Sequence, residues 1–331
     1  MSQATPTPTP SAEMSAPSAS RNFVRNFFNP ERPYAIFSAL LVLIVFFSIT
    51  SPVFFSGDNF ANIGRQTALV TIMAVGVTFV IISAEIDLSV ASVLALAGVM
   101  SAMSMQVVNS WFVGGLVGLA TGTLFGLLSG VLTTRFAIPS FLVTLGMLGV
   151  ARGLAYVVTD TGSVLISNET YFNVFGEGDL FGIPAPIVWT IVVLILGGVL
   201  LHFTTFGRKV FATGGNATAA RYSGINTSRV KITAFMITGC LAGLAGLILS
   251  ARGHAARPDI GIGLELDVIA AVILGGTSLF GGRGAIIGTL IGSLIIGVMN
   301  NGLVIVGVSS SWQIAVKGAI IILAVAAMKK K

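Results

Sequence analysis

The sequence predicts an all-α polytopic membrane protein with about ten transmembrane helices and both termini in the cytoplasm. Three observations carry that expectation. Hydrophobic residues make up 54% of the 331 positions, charged residues only 9%, and the mean hydropathy is +0.95. A soluble domain carries about 25% charged residues, so this chain lacks the groups to cover a water-facing surface. Apolar runs recur at the length a bilayer core takes up as helix, about 20 residues. The cations between those runs fall almost entirely on one side.

Residues 1–33 are Pro/Thr/Ser/Ala-rich and without periodicity, which predicts a disordered cytoplasmic tail. Arg21, Arg25 and Arg32 precede the first apolar run in the manner of an uncleaved anchor rather than a cleaved leader. The transmembrane region covers 34–328. Its expected spans are Ala35–Val53, Gln66–Ser83, Val90–Val107, Phe112–Thr133, Ile138–Val158, Ile187–Phe203, Ile232–Ser250, Leu266–Phe280, Ala285–Val306 and Trp312–Met328. The eighth is short and glycine-rich, so a broken or re-entrant segment is expected there. A basic end, 329–331, closes the chain.

With the N-terminus inside, the inner side receives Arg21, Arg25, Arg32, Arg135, Arg208, Lys209, Arg221, Arg229, Lys231, Arg283, Lys329, Lys330 and Lys331. The outer side receives Arg65, Arg252 and Arg257, while Arg152 and Lys317 fall within spans. That asymmetry is what the positive-inside rule demands. The net charge of +6 therefore reads as topology rather than as a nucleic-acid patch. Cys240 is the only cysteine, which excludes disulfides and cysteine metal sites within one chain.

The fourth span carries Gly114, Gly118, Gly122, Gly126 and Gly130, a stripe along one helix face that lets another backbone approach closely. Gly284, Gly288 and Gly292 repeat it in the ninth span, and Gly239 and Gly243 in the seventh. Tight helix packing is the expected role.

Polar groups at membrane depth are costly and face the protein interior. Glu85 and Asp87 stand between the second and third spans. Two carboxylates there suit either a cation or proton site, or a helix start at which Asp87 and Ser89 accept the free N–H groups of the third helix. The absence of a cation or histidine nearby in sequence favours the cap. Asn300, Asn301 and Gln313 present neutral amides, either to a crossing polar solute or to neighbouring helices. Lys317 is expected to snorkel or pair internally. With Asp87, Ser89 and Thr144 these three amides form the candidate pathway. His202 and His254 lie near opposite faces, and no metal site is expected. Gly276–Gly281 is the nearest approach to a phosphate loop, but Gly282 and Arg283 follow where Lys and Ser/Thr are required. No nucleotide, hydrolase or metalloenzyme motif appears, so any energy source lies in another chain, and neither enzyme activity nor a bound cofactor is expected.

One long polar segment interrupts the second half: Gly207–Lys231, with Arg208, Lys209, Arg221, Arg229 and Lys231 and no acid. In a chain written for lipid, this is where a soluble partner docks.

Ordered stretches from Asn59 to Met328 resemble the permease subunits of ribose-type ABC sugar importers. They are IMAVG at Ile72–Gly76, IDLSVAS at Ile86–Ser92, TLGML at Thr144–Leu148 and ATGGNATAARYSGIN at Ala212–Asn226. The longest runs from Glu265 to Leu303, and GVSSSWQIAVKGAIIILAV follows at Gly307–Val325. The departures are local: Ala84 and Glu85 stand where similar permeases carry glycines, and Ala91 stands for another. The resemblance implies a large-importer-type ABC permease fold in the bacterial inner membrane, surrounded by lipid, with a pathway along a dimer axis. It implies a second permease subunit as partner, a periplasmic sugar-binding protein outside and a cytoplasmic ATP-binding ATPase inside. A monosaccharide such as ribose is then moved by alternating access. It also implies a coupling helix near Asn216–Gly224, with Gly215, Asn216, Ala219, Ala220, Arg221 and Gly224 facing the ATPase. The competing expectation is an ion-coupled secondary transporter using Glu85 and Asp87.

Overall fold

A computed structural model describes residues 33–327. Apart from Pro33, the expected N-terminal tail lies outside the described residues, as does the basic C-terminal end. The described chain is α-helical, with four two-residue strands. A helix stands at each of the ten expected positions. These are α1 (Pro33–Thr50), α2 (Gly57–Ile82), α3 (Val90–Val108), α4 (Trp111–Arg135), α5 (Ser140–Thr159), α7 (Ala185–His202), α10 (Thr227–Arg252), α11 (Leu264–Leu274), α12 (Ile286–Ile305) and α13 (Ser310–Ala327). Shorter helices lie between them: α6 (Glu169–Tyr171), widening into a π-turn over Phe172–Gly176, then α8 (Thr205–Gly215) and α9 (Ala217–Tyr222).

Seven of these helices are long and apolar enough to cross a membrane: α2, α3, α4, α5, α7, α10 and α12. The helix at the expected eighth span, α11, has 11 residues. At 1.5 Å per residue it reaches about 16 Å, half of a hydrocarbon core about 30 Å thick. The expected broken segment is thus a half-length helix entered through the irregular loop 257–263. Some helices begin earlier than hydropathy suggests because capping side chains start them. Ser56 Oγ accepts from Asn59 N–H at the head of α2, and Asn226 Oδ1 from Arg229 N–H (3.0 Å) at the head of α10.

Helix α2 is the centre of the bundle. Its most apolar window is 89% buried, against 28% for α5. Around it pack α7, α10, α11 and α12. On the other side of α10 lies α4, with its glycine row turned inward. A Cβ on Gly122 would collide with the Gly239 carbonyl oxygen, and one on Gly126 with the Phe235 carbonyl oxygen. The relation is reciprocal, since a Cβ on Gly239 would strike the Gly122 carbonyl. Further along the stripe, Gly118 faces Leu247, Gly130 faces Ile232 and Gly114 faces Met105. In α12, Gly288 and Gly292 lie against the backbone of Gly275 and Ala271, and Gly284, just ahead of the helix, meets Ile82 and Thr277.

The strands tie loops at one end of the bundle. β1 (Val164–Leu165) pairs antiparallel with β4 (Ala255–Ala256), and β2 (Asp179–Leu180) with β3 (Ile183–Pro184). Arg65, Arg252 and the acids Glu177 and Asp179 gather at this end.

Candidate functional site: a polar junction and a buried charge pair

The polar segment 207–231 folds into α8, α9 and the start of α10. Asn216 Oδ1 accepts the N–H groups of Thr218 (3.1 Å) and Ala219 (2.9 Å), which starts α9. Gly224, at φ +83°, ends the turn in the left-handed region that only glycine enters without strain. Ala220 is buried, while Gly215, Asn216, Ala219, Arg221 and Gly224 are exposed. The short helix thus presents a polar outer face and is held on its inner one.

The end of α8, which carries this short helix, is held by the end of α2 together with the loop between α11 and α12. Gly282 N–H donates to Ile82 O (2.9 Å), and a Cβ on Gly214 would collide with that same carbonyl. Gly281 and Gly282 both adopt positive φ, and added Cβ atoms there would press on Ala84, Gly214 and Gly215. The glycine run that imitates a phosphate loop is therefore a docking surface for the end of α8. It follows a helix rather than a strand.

Glu85 finds a partner that reading along the chain missed. Its Oε1 pairs with Lys231 Nζ, 146 positions away, with side chains 13% and 20% exposed respectively. Asp87 is engaged separately: its Oδ1 accepts the Ser89 N–H (2.8 Å) and hydroxyl (2.6 Å). This corrects the expected cap. Asp87 ties down the residue before α3 rather than the N–H groups of its first turn, and Ser89 makes no side-chain cap bond. Burial pushes the Asp87 carboxyl above its ordinary range, with the Ser89 hydrogen bonds pulling the other way. The two carboxylates do not share a ligand set.

Thr144 and its neighbour Ser140 clamp this same stretch to α5. Ile86 N–H donates to Ser140 Oγ (3.1 Å), and Thr144 Oγ1 donates to Ser140 O (2.9 Å), with Ile86 O at 3.3 Å. Asn300 and Asn301, adjacent in sequence, diverge. Asn301 Nδ2 donates to Asn59 Oδ1 (2.9 Å), whose own Nδ2 donates to Phe54 O (2.8 Å). Asn300 Nδ2 instead donates to Asp267 Oδ2 (3.2 Å). Lys317 Nζ reaches that same oxygen at 2.8 Å, so it pairs internally. Gln313 Nε2 donates to Val308 O (2.8 Å) at the start of α13.

Two sets of contacts were not legible along the chain. Asp267, 2% exposed, draws Asn300 and Lys317 together. Arg152 on α5 donates to Pro258 O (2.5 Å) and Ile260 O (2.8 Å), holding the loop that leads into α11, with Ala91 O at 3.5 Å. Their signal was present in Arg152 and Lys317 as charges inside spans, but a partner for each was not legible.

At the opposite end from 207–231, a cavity of about 500 Å³ is lined by Arg65, Glu177, Asp179 and Arg252 among others. Glu177 meets His254 Nε2 at 2.7 Å. Nearby, Arg257 pairs with Asp259 (2.6 Å) and holds its carboxyl below the ordinary range. Among the described residues, no group of three or more His, Cys, Asp or Glu side chains is placed to hold a metal.

A helical bundle with seven helices able to cross a membrane, a polar segment at one end and a charged cleft at the other is that of a polytopic membrane protein. The family model for the permease component of branched-chain amino acid transport systems matches residues 59–325. The ribose import permease protein RbsC of Escherichia coli K12 is 45% identical over 296 residues, covering 88% of this chain and 92% of that protein. The L-arabinose ABC transporter permease protein AraH of Azospirillum brasilense is 38% identical over 318 residues, covering 96% and 92%. The D-allose transport system permease protein AlsC of Escherichia coli K12 is 37% identical over 295 residues, covering 88% and 90%. The chain belongs to this permease family: it is the membrane-spanning permease subunit of an ABC-type importer and not itself catalytic.

Proposed function

We propose that this chain moves a monosaccharide, ribose or a sugar of similar size, into the cytoplasm across a bacterial inner membrane. Relatives named for ribose, arabinose and allose support the substrate class. In this reading ten helices cross the membrane with both ends inside, and two copies enclose the pathway. A binding protein delivers sugar to the end carrying Arg65 and Arg252. An ATPase docks on Gly215, Asn216, Ala219, Arg221 and Gly224, with Ala220 seating α9 against the bundle. Asp87, Ser89 and Thr144 position the start of α3 beside the pathway, while Asn300, Asn301 and Gln313 provide its amides.

The observation that carries the proposal is the junction of Gly214 with Ile82 and Gly282. A push on α9 passes through α8 onto the end of α2, the most buried helix, and onto the loop that precedes α12. This backbone contact has no soft side chain to absorb the motion. The ion-coupled alternative loses its basis in the same region, because Glu85 is engaged by Lys231 and Asp87 by Ser89.

Gly224→Val tests the coupling role. Forcing a β-branched residue to φ +83° costs about 1–3 kcal/mol locally, enough to reshape the end of α9. The expected outcome in reconstituted importer is normal membrane insertion with uptake per ATP reduced about tenfold. Unchanged uptake per ATP would remove α9 from the transmission path.

A further inference from the structure

After α10 the chain does not return as a full-length helix. Residues 257–263 run as a loop held by Arg152, and α11 begins only at Leu264. Transporters place solute sites at such discontinuous helices, where backbone and adjoining side chains escape the helix's own bonding. Asp267 stands in the first turn of α11. Its Oδ2 accepts from Lys317 Nζ and Asn300 Nδ2, but among the described residues its Oδ1 has no partner, and neither does Asn300 Oδ1. Turning the Asn300 amide over would only set its oxygen against the carboxylate. Lys317 carries three N–H donors, and its side chain is 22% exposed.

Ionisable groups inside a membrane protein mark function more often than stability, since a buried ion pair stabilises little. Here the groups left over have a definite chemistry. Two acceptors lie on neighbouring side chains, an ammonium beside them has donors to spare, and the net charge is zero. A cation entering would meet Lys317, and an anion would meet Asp267. A neutral molecule with adjacent hydroxyls, each able to donate and accept, satisfies the set.

We propose that Asp267, Asn300 and Lys317 form a binding site for neighbouring hydroxyls of a neutral polyhydroxylated solute. Asp267 Oδ1 and Asn300 Oδ1 accept from the hydroxyls, and Lys317 Nζ donates to one of them. The inference rests on the reading that the chain carries a sugar, and it adds to that reading the two charged residues that grip it.

The test uses the complete importer, with its ATPase and binding protein, in proteoliposomes. Uptake of the cognate monosaccharide and its single-deoxy analogues is measured beside ATP hydrolysis. Asn300→Leu keeps the volume and removes an acceptor. Sugar moved per ATP should fall about tenfold, as expected where a built hydrogen-bond partner is lost. Hydrolysis stimulated by the loaded binding protein is recorded in parallel, so that uptake is read per ATP. One deoxy analogue, moved poorly by wild type, should be moved equally well by both proteins. Asp267→Leu with Lys317→Met gives a second arm should Asn300→Leu fail to assemble. Replacing a buried ion pair by apolar residues of similar volume is tolerated, so this variant should assemble and lose sugar transport. Uptake per ATP within about twofold of wild type in either assembled variant overturns the site. The cluster is then helix glue or a place for water. A wild-type importer that hydrolyses ATP and moves no monosaccharide is a separate failure, that of the transport reading, and it removes the ligand proposed here as well.

Discussion

The α4–α10 interface and the corner formed by α11, α12 and α13 solve the same problem in opposite ways. Both bring helices together in a bundle where apolar attraction between helices is weak, because lipid is as apolar as leucine. At α4–α10 the solution is the absence of side chains: Gly122, Gly126 and Gly239 let backbones touch, and the helices' internal hydrogen bonds leave little polar surface to satisfy. At the α11–α13 corner the solution is a charge pair and an amide, with two acceptors left over. Close backbone packing gives a rigid slab with one arrangement. A polar cluster with spare bonding capacity holds helices in place while accepting a different partner, and α11 beside it is only half a span long. The difference separates the scaffold from the part able to respond to a solute.

Breaking the charged corner should have the larger effect on stability. Lys317→Met strands Asp267 as a buried unpaired charge, with an expected loss of about 3–5 kcal/mol. Thermal unfolding in detergent should show it, and adding Asp267→Leu should restore most of the loss. Failure of the second change to rescue would mean that α13 is held by other contacts. Gly122→Ala tests the slab. One methyl group must enter a space already filled by the Gly239 carbonyl, with an expected cost of about 1–3 kcal/mol. The same unfolding measurement reads it, and Gly239→Ala should cost a similar amount because the contact is mutual. The smallest expected change in stability is at the inner junction. Glu85→Gly removes a partly buried pair, worth about 1 kcal/mol. Uptake per ATP should change more visibly than stability, since Glu85 links the start of the α2–α3 connection to the head of α10. A variant unchanged in both would leave the ion pair without a role in coupling.

What was legible along the chain was local or periodic. Glycines spaced by four on α4 imply a face, and a face is a property of one helix. Asn216 before a short polar run implies a helix start, which needs only three neighbouring N–H groups. A short, glycine-rich eighth segment implies a break, and α11 stops at 11 residues. The pairings were not legible in the same way. Nothing near Glu85 in sequence points to Lys231, and Asp267 looks like an acid at a helix start until Lys317 arrives beside it from α13. The Gly276–Gly282 run was read as a failed phosphate loop because its partner, the Ile82–Ala84 turn, lies some 200 positions earlier.

Composition, hydropathy period and the placement of cations determined by themselves that this chain is a helical membrane protein. Its ordered motifs were enough to point to the permease family. These follow from the sequence because a bilayer imposes the same length, polarity and charge rule on every span independently. The engagement of Glu85, the divergence of Asn300 from Asn301 and the seating of Gly214 on Ile82 were decided only by tertiary structure. Each depends on the rotation and depth of two helices relative to each other. That relation is set by packing across the whole bundle, and no single segment encodes it.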